Sequence, residues 1–195
     1  MDTRSPNYKN YLERKYLPGR ELYLHGWMYP RYLREFIPGT VLDLGCGTGS
    51  FLLFCKARGV PAVGIDSNPS MVEACLAQGL KAQVDDVVSP STISAPMANA
   101  VCDNVLEHLP LAQIELFFAH MKLHMQKGGV LLIAVPNRKG FLRDPTHVTF
   151  VEGGLIDRMA RIHNLCVSSR FCFPLKNRFF GERFYINMSV YKIVF

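Results

Sequence analysis

The chain has 195 residues, a mass of 22.0 kDa and a net charge of +6, and 49% of its residues are hydrophobic. This length suits one ordinary domain, and this apolar content excludes wholesale disorder. No apolar run approaches the roughly 20 residues of a membrane-spanning helix, and the N-terminal residues lack the layout of a signal peptide. We therefore predict a cytoplasmic protein without a membrane span.

Cysteine and charge patterns bear on metals and partners. The six cysteines form no CxxC pair, so a reducing compartment fits and no zinc or other metal site is predicted. The middle of the chain is acidic and both flanks are basic. Such flanks are either a solvated surface or a face that attracts an anionic partner, and the sequence leaves both open.

The first 39 residues, rich in tyrosine, predict a helical cap. Four residues near helical spacing are Tyr8, Tyr11, Leu12 and Tyr16. Pro18-Gly19 interrupts this pattern, a second helical stretch covers residues 21–36, and Pro38-Gly39 ends it. We predict a cap over residues 1–39 and one compact domain over residues 40–195.

Between residues 41 and 135, short apolar runs without alternation are separated by helix-patterned segments, as in a βαβ series. The runs are Val41–Leu44, Ala62–Ile65, Ala100–Cys102 and Val130–Val135. Asn68 and Pro69 begin one helix, which Gly79 ends. Pro110 begins the next helix, and Gly128-Gly129 is expected to close it. Its predicted core face consists of Leu111, Ile114, Phe118, Met121 and Met125.

The C-terminal part predicts one more helix and two strands. The helix pattern runs through Leu155, Ile156, Met159 and Ile162. The strands, Cys166–Pro174 and Phe184–Phe195, can pair antiparallel at the edge of a parallel sheet. The fold class is therefore α/β: a Rossmann-like, seven-stranded, mostly parallel sheet with helices on both faces and an antiparallel last strand.

A glycine loop carries the strongest functional signal. The first strand runs into Gly45-Cys46-Gly47-Thr48-Gly49, and from Asp43 the pattern is D-x-G-x-G-x-G. Glycines allow a ligand to touch the backbone. Ser50 occupies the sixth place of the dinucleotide fingerprint G-x-G-x-x-G and so breaks it. The alternative is a tight turn without a ligand.

Acidic residues follow the next two strands. Asp66 ends the second strand, where a carboxylate accepts hydrogen bonds from ribose hydroxyls. Asp85 and Asp86 lie at the tip of the third strand, where one of them can accept from an adenine amino group, and Val87 could cover the ring. The alternative for Asp85 and Asp86 is that they are ordinary polar loop residues or helix caps.

Together these segments resemble class I S-adenosylmethionine (SAM)-dependent methyltransferases over roughly residues 38–137. The matching motifs are Val41–Leu52, Gly64–Met71, Val84–Val87 and Asp103–Leu109. The resemblance implies that the glycine-loop backbone holds the methionine part of SAM, Asp66 the ribose and Asp86 the adenine, with Asp103 and Asn104 near the methionyl amine. The full set of implied cofactor-binding residues is Asp43, Gly45, Cys46, Gly47, Gly49, Asp66, Ser67, Met71, Asp85, Asp86, Val87, Asp103, Asn104 and His108. No N/D-P-P-Y/F motif follows the fourth strand, which weighs against amino-group methylation of DNA bases.

Residues 141–148 are similar to the D-x-T-H loop of small-molecule and glycan-modifying members of this class. His147 could act there as the general base that removes a proton from a hydroxyl. Alternatively, Asp144 and Thr146 cap the next helix and His147 only packs. Glu107 and His108 could also be structural.

The predicted function is methyl transfer by in-line displacement to a hydroxyl of a small molecule or sugar. Three basic residues flank the expected acceptor side and favour an anionic acceptor, unless the loop is merely solvated: Arg138, Lys139 and Arg143. Three other functions remain open. They are an RNA or DNA methyltransferase using the basic flanks, a nicotinamide oxidoreductase, and a non-catalytic module that kept the cofactor pocket.

Overall fold

The structure is a computed structural model that describes residues 3–5, 8, 11, 19–175 and 187–195. Within these residues the sheet has seven strands. They are β1 (Val41–Leu44), β2 (Ala62–Asp66), β3 (Ala82–Val84), β4 (Met97–Asp103), β5 (Met125–Pro136), β6 (Cys166–Phe173) and β7 (Met188–Val194). Predicted positions 12, 16 and 18 and the start of the last predicted strand lie outside the described residues.

The strand order is β3-β2-β1-β4-β5-β7-β6. The first five strands are parallel, and β7 pairs antiparallel with both β5 and β6. Strands β2 and β3 lie on one side of β1, and the next strand in the sequence, β4, lies on the other side. The strand order therefore reverses at β1. Loops at the carboxyl ends of β1 and β4 meet at this switch point, where α/β sheets bind ligands. The predicted fold class is confirmed.

Helices cover both faces of the sheet. In chain order they are α1 (Arg20–Tyr23), a π-helical turn (Leu24–Met28), α2 (Tyr29–Leu33), α3 (Ser50–Lys56), α4 (Pro69–Ala77), a 3-10 turn (Leu106–His108), α5 (Leu111–His124), α6 (Arg138–Phe141) and α7 (Gly153–Ile162). The Asn68 side chain accepts a hydrogen bond from the Ser70 amide, so α4 has the predicted cap. No helix among the described residues is long and apolar enough to cross a membrane.

Side chains of β1 alternate between two hydrophobic clusters. Leu42 and Leu44 pack with α5 and α7, whereas Val41 packs with α2 and α3. The helical residues Tyr29 and Tyr32 belong to this second cluster, so the predicted N-terminal cap shares a hydrophobic cluster with β1 and α3. The division of the chain at residue 39 stays a prediction.

A buried amide fixes the N-terminal helices to the sheet. Asn99 of β4 is fully buried, and its Nδ2 donates to the Ile37 carbonyl at 2.8 Å. The Ile37 amide donates back to Asn99 Oδ1 at 2.9 Å. These two hydrogen bonds satisfy an otherwise costly buried side chain and set the position at which the helical segment enters β1.

Two helix boundaries differ from the sequence prediction. Helix α5 ends at His124 and β5 begins at the next residue, so Gly128-Gly129 lies inside the strand and does not close the helix. A side chain at Gly129 would come within 2.8 Å of the Gln126 carbonyl oxygen, which explains the glycine by close backbone approach. Leu111, predicted to be core, is 46% exposed in the first turn of α5.

Candidate cofactor site and acceptor-side cluster

The glycine loop joins β1 to α3 and is open at its centre. Gly45, Gly47 and Gly49 have positive φ angles of 74°, 53° and 87°, which favour glycine. A side chain at Gly45 would strike Val105, and one at Gly49 would come within 2.6 Å of Leu80. A Cβ atom at Gly47 would meet no atom within 4 Å beyond its chain neighbours. The loop backbone at Gly47 can therefore approach a ligand closely.

Asp66, at the end of β2, holds the centre of this loop. Its Oδ2 accepts a hydrogen bond from the Gly47 amide and its Oδ1 one from the Asn68 amide, both at 2.9 Å. Burial raises the pKa of Asp66, and the two amide hydrogen bonds oppose part of that rise. A carboxylate has about four lone-pair sites, so two remain for further donors.

Two more carboxylates end the neighbouring strands β1 and β4. Asp43 is buried, and burial together with the nearby Asp103 raises its pKa well above the usual range. Burial also raises the pKa of Asp103 to about 6, although Arg20 and hydrogen bonds from Tyr32 and Asn104 act in the opposite direction. The Tyr32 hydroxyl is 3.3 Å from Asp103 Oδ2. This edge of the sheet therefore favours a cationic ligand group.

The helices before β1 cover the start of α3. The Ser50 hydroxyl donates to Glu21 Oε2 at 2.6 Å, and His25 Nε2 lies 3.3 Å from the same Ser50 oxygen. The ring of Tyr29 packs against Phe51, with centroids 5.0 Å apart. These contacts place the N-terminal helices beside the glycine loop.

The acidic pair after β3 has two different environments. Asp85 accepts from the Ser91 and Thr92 amides, both at 2.8 Å, and organises the following turn. Burial raises the pKa of Asp85, but hydrogen bonds from Thr92, Ser91 and the next amide outweigh it and hold the pKa low. Asp86 accepts from the Val88 amide through Oδ1 at 2.9 Å, and its Oδ2 forms an exposed ion pair with Arg4 at 3.1 Å. Asp86 is thus the member that can exchange its partner for a ligand.

A second polar cluster lies where the 3-10 turn after β4 meets the loop after α6; we call Glu107, His108, Asp144 and His147 the acceptor-side cluster. The backbone carbonyl of Glu107 accepts from the Val148 amide at 2.7 Å, which ties the two segments together. Asp144 Oδ1 accepts from the amide and hydroxyl of Thr146 at 2.9 and 2.6 Å, and from Tyr11 at 3.2 Å. These two side chains form a turn and do not cap α7, whose N-cap is Glu152.

Both histidines of this cluster are oriented by backbone carbonyls. His147 Nδ1 is 2.8 Å from the Phe141 carbonyl oxygen, and His108 Nδ1 is 3.2 Å from that of Thr146. His108 Nδ1 also lies 3.2 Å from the Thr146 hydroxyl, which donates to Asp144 and so can accept from this nitrogen. A carbonyl only accepts, so each Nδ1 carries a proton, and in the neutral form of each ring the lone pair is on Nε2. His147 Nε2 lies 3.9 Å from Glu107 Oε1 and 3.8 Å from Asp144 Oδ2.

A family model described as a methyltransferase domain matches residues 20–173. The chain belongs to this methyltransferase domain family. The match includes the glycine loop, the acidic residues after β2, β3 and β4, and the acceptor-side cluster. The comparison with curated proteins finds no match.

Solved structures similar to this methyltransferase have little sequence identity to it. A SAM-dependent methyltransferase from Archaeoglobus fulgidus has 19% identity and a TM-score of 0.76, covering 95% of this chain and 99% of that one. The glycopeptide N-methyltransferase MtfA, complexed with SAM, has 13% identity and a TM-score of 0.68, covering 86% and 85%. Magnesium protoporphyrin IX methyltransferase from Synechocystis PCC 6803, with bound SAM, has 13% identity and a TM-score of 0.64, covering 90% and 77%. At this identity the likeness establishes the fold.

The family match and the fold confirm the predicted resemblance to class I methyltransferases, the assignment as an enzyme and SAM as the cofactor. The roles of individual residues stay predictions. Five of the predicted cofactor residues are buried: Asp43, Cys46, Gly49, Met71 and Val87. The other predicted cofactor residues are partly or fully exposed; among them, Ser67 and Asn104 directly follow β2 and β4, and His108 ends the 3-10 turn. The His108 ring packs edge-on against His147, with ring centroids 4.9 Å apart.

Sequence reasoning missed the N-terminal contributors to the methyltransferase site. Arg20 lowers the pKa of Asp103, and Tyr32 donates to it. The sequence showed only tyrosines at helical spacing, which is typical of any packed helix. Nothing in that spacing connects residue 32 with residue 103.

Proposed function

We propose that this methyltransferase transfers the methyl group of SAM to a hydroxyl of a small molecule or sugar. The observation that carries the proposal is the position of His147. Its side chain is 6% exposed, its Nε2 lone pair is set by the Phe141 carbonyl, and it belongs to the loop region that follows β5. A proton acceptor in that region suits an acceptor that loses a proton on methylation.

The residues at the switch point fit the cofactor. The loop at Gly47 leaves room for a ligand, the free lone pairs of Asp66 suit ribose hydroxyls, and Asp103 with Asp43 suits the methionyl ammonium. Asp86 would receive the adenine amino group. When bound, SAM supplies a methyl group on a sulfonium that an acceptor oxygen can displace in line.

The protein's own contribution is mainly to hold the two reactants. Holding reacting groups at near-attack distance can supply about 7–11 kcal/mol without a covalent intermediate. His147 accepts the acceptor's proton at Nε2, and the carboxylates of Glu107 and Asp144, 3.9 and 3.8 Å away, stabilise the imidazolium that forms. No nucleophilic serine or cysteine is needed.

The acceptor is proposed to be anionic. Arg138 and Lys139 are exposed at the start of α6, and Arg143 is exposed at the beginning of the loop that carries His147. Guanidinium and ammonium groups at this place favour a phosphate or carboxylate on the acceptor.

An acceptor screen tests the proposal. The protein is incubated with SAM and a panel of hydroxy acids, sugars, sugar phosphates, amines and RNA, and S-adenosylhomocysteine and acceptor mass are measured. Methylated hydroxy compounds with an anionic group are the expected products. Methylation of amines alone would overturn the oxygen acceptor. RNA methylation that falls steeply with added salt would favour a nucleic-acid methyltransferase. Cofactor binding without any methylated product would favour a non-catalytic module.

Asp66→Ala is expected to weaken SAM binding about 10- to 100-fold. Hydrogen bonds to a charged acceptor contribute about 1.5–3 kcal/mol, and each 1.4 kcal/mol is a factor of ten. The variant also releases the Gly47 amide from its 2.9 Å hydrogen bond. Calorimetry measures the dissociation constant, with Asp157→Ala on α7 as the control for loss of an exposed carboxylate. An unchanged constant would place the ribose elsewhere.

Cofactor affinity is expected to depend on pH through Asp103. The pKa of this carboxyl is raised to about 6, so it loses its charge as the pH falls below 6 and then attracts the methionyl ammonium less. The dissociation constant should rise below pH 6, at a rate approaching tenfold per pH unit. Asp103→Asn should bind more weakly at pH 8 and show no such rise. A wild-type affinity that is constant from pH 5 to pH 8 would remove Asp103 from the ammonium site.

A further inference from the structure

Two imidazoles and a carboxylate converge in the acceptor-side cluster, and one of the imidazoles, that of His108, has no part in the proposed proton transfer. Glu107, His108 and His147 each offer one ligand atom, and these atoms all lie within 4.8 Å of one another. We propose that these three side chains bind a divalent transition-metal ion. This inference stands apart from the identity of the acceptor.

The outer contacts of both histidines are those of metal ligands. Histidine ligands usually donate their second ring nitrogen to a carbonyl or carboxylate, which fixes the tautomer and the ring plane. His147 Nδ1 contacts the Phe141 carbonyl at 2.8 Å and His108 Nδ1 the Thr146 carbonyl at 3.2 Å. When such a ring is neutral, Nε2 is the nitrogen that can coordinate an ion, and the ion would replace any contact that this atom makes in the structure.

The cluster is also partly buried and braced, because Glu107 is a buried residue and His108 and His147 are of intermediate exposure. The Glu107 side chain is fully buried, and that of His147 is 6% exposed. The two ligand-bearing segments are joined through the Glu107 carbonyl, which accepts from the Val148 and Thr149 amides at 2.7 and 3.1 Å. Such bracing limits the loss of conformational entropy when an ion draws the side chains together.

The ligand types select the class of ion. Imidazole suits zinc, copper, iron and nickel, whereas calcium and magnesium prefer all-oxygen sites. Ligand atoms around a tetrahedral zinc, at about 2.0–2.2 Å from the metal, are about 3.4 Å apart. The ligand atoms here would have to close by at most about 1.4 Å, within reach of side-chain rotation. Asp144 Oδ2, 3.8 Å from His147 Nε2, is the nearest further carboxylate.

An ion at this place would bear on methyl transfer. It would occupy the His147 lone pair, so the histidine would act as a ligand while the positive charge of the ion lowers the pKa of an acceptor hydroxyl. His147 therefore cannot bind the ion and accept a proton at the same time.

Cobalt(II) titration of the 195-residue chain, stripped beforehand with chelator, tests the site without turnover. Weak visible d–d bands that saturate at one equivalent are expected, with zinc competing for the same site. His108→Ala should weaken cobalt binding by more than about 100-fold, because losing even an outer partner of a ligand costs 10- to 100-fold. Glu107→Gln should weaken it as well. His120→Ala on α5 is the matched control and should bind as the wild type does.

Several outcomes would overturn the inference. They are no saturable visible spectrum in the wild type, equal affinity in the wild type and a folded His108→Ala variant, or an intense thiolate charge-transfer band that assigns the ion to a cysteine. Circular dichroism checks that the variants fold. If they do not fold, the visible cobalt spectrum of the wild type decides whether the protein has a metal site. SAM binding measured in chelator and the acceptor screen report on the proposed function separately, so either proposal can fail alone.

Discussion

Gly47→Val is expected to bind SAM more than about 100-fold more weakly than the wild type while remaining folded. The added side chain would meet no protein atom within 4 Å at its Cβ, so it would extend into the space beside the loop backbone. A residue other than glycine at a φ of 53° adds about 1–3 kcal/mol of backbone strain, which lowers stability without unfolding the domain. Calorimetry with SAM and S-adenosylhomocysteine measures the affinity.

Gly59→Val is the matched control for this prediction. Gly59 has a φ of 66°, and a Cβ atom there would also meet no atom within 4 Å. It lies between α3 and β2, at the amino end of the strand and away from the glycine loop. The two variants should lose similar amounts of thermal stability, but only Gly47→Val should lose SAM. Equal SAM affinities in the two would show that the cofactor does not contact Gly47.

Neighbouring glycines of the same loop should behave differently. A side chain at Gly45 would strike Val105, and one at Gly49 would come within 2.6 Å of Leu80 and 2.9 Å of the Cys75 sulfur. Their substitution therefore damages the packing of the loop, and any loss of affinity follows from that damage. The D-x-G-x-G-x-G pattern thus combines packing glycines with one that leaves space for a ligand.

The parallel strands could be predicted because each strand has a signal in its own short segment of sequence. A strand buried on both faces requires a near-continuous apolar run; the core of β5 has one, and Val41–Leu44 has one that only Asp43 interrupts. The end of α5 could not be predicted in this way. Gly128-Gly129 is a helix-ending signal by residue type, yet Gly129 serves close contact with the carbonyls of Met97 and Ala98, both 3.2 Å from its Cβ position. That contact joins residues about thirty positions apart in sequence.

The candidate site was predictable in its cofactor half and less so in its acceptor half. Asp66 reaches the Gly47 amide because adjacent parallel strands end at the same edge, which is a rule of topology. The convergence of Glu107, His108 and His147 depends on how the loop after α6 folds back on the 3-10 turn. No local spacing of residues encodes the path of that loop. The cysteine pattern led to the prediction of no zinc site, but it says nothing about a site made of histidine and glutamate.

His147→Ala is expected to lower the turnover rate about 10²- to 10⁴-fold while leaving SAM affinity within about threefold, as loss of a general base does. The imidazole Nε2 lies 3.9 Å from Glu107 and 3.8 Å from Asp144, and Nδ1 lies 2.8 Å from the Phe141 carbonyl oxygen, so these contacts of His147 are with the acceptor-side cluster and its own loop. The matched control is His163→Ala. His163 is a half-buried histidine stacked on Phe118 in the hydrophobic core, so its loss should lower stability and spare turnover.

The same variant separates the two roles of His147 when turnover is measured with and without chelator. If the wild-type rate is insensitive to chelator and His147→Ala is slow in both conditions, the imidazole itself takes the proton. If chelator slows the wild type to the rate of the variant and cobalt or zinc restores only the wild type, His147 acts by holding the ion. A variant that loses stability and SAM affinity together, with turnover per bound cofactor unchanged, would assign His147 to packing of the loop. The measurement requires an acceptor from the screen, and SAM binding and cobalt binding can both be measured before one is known.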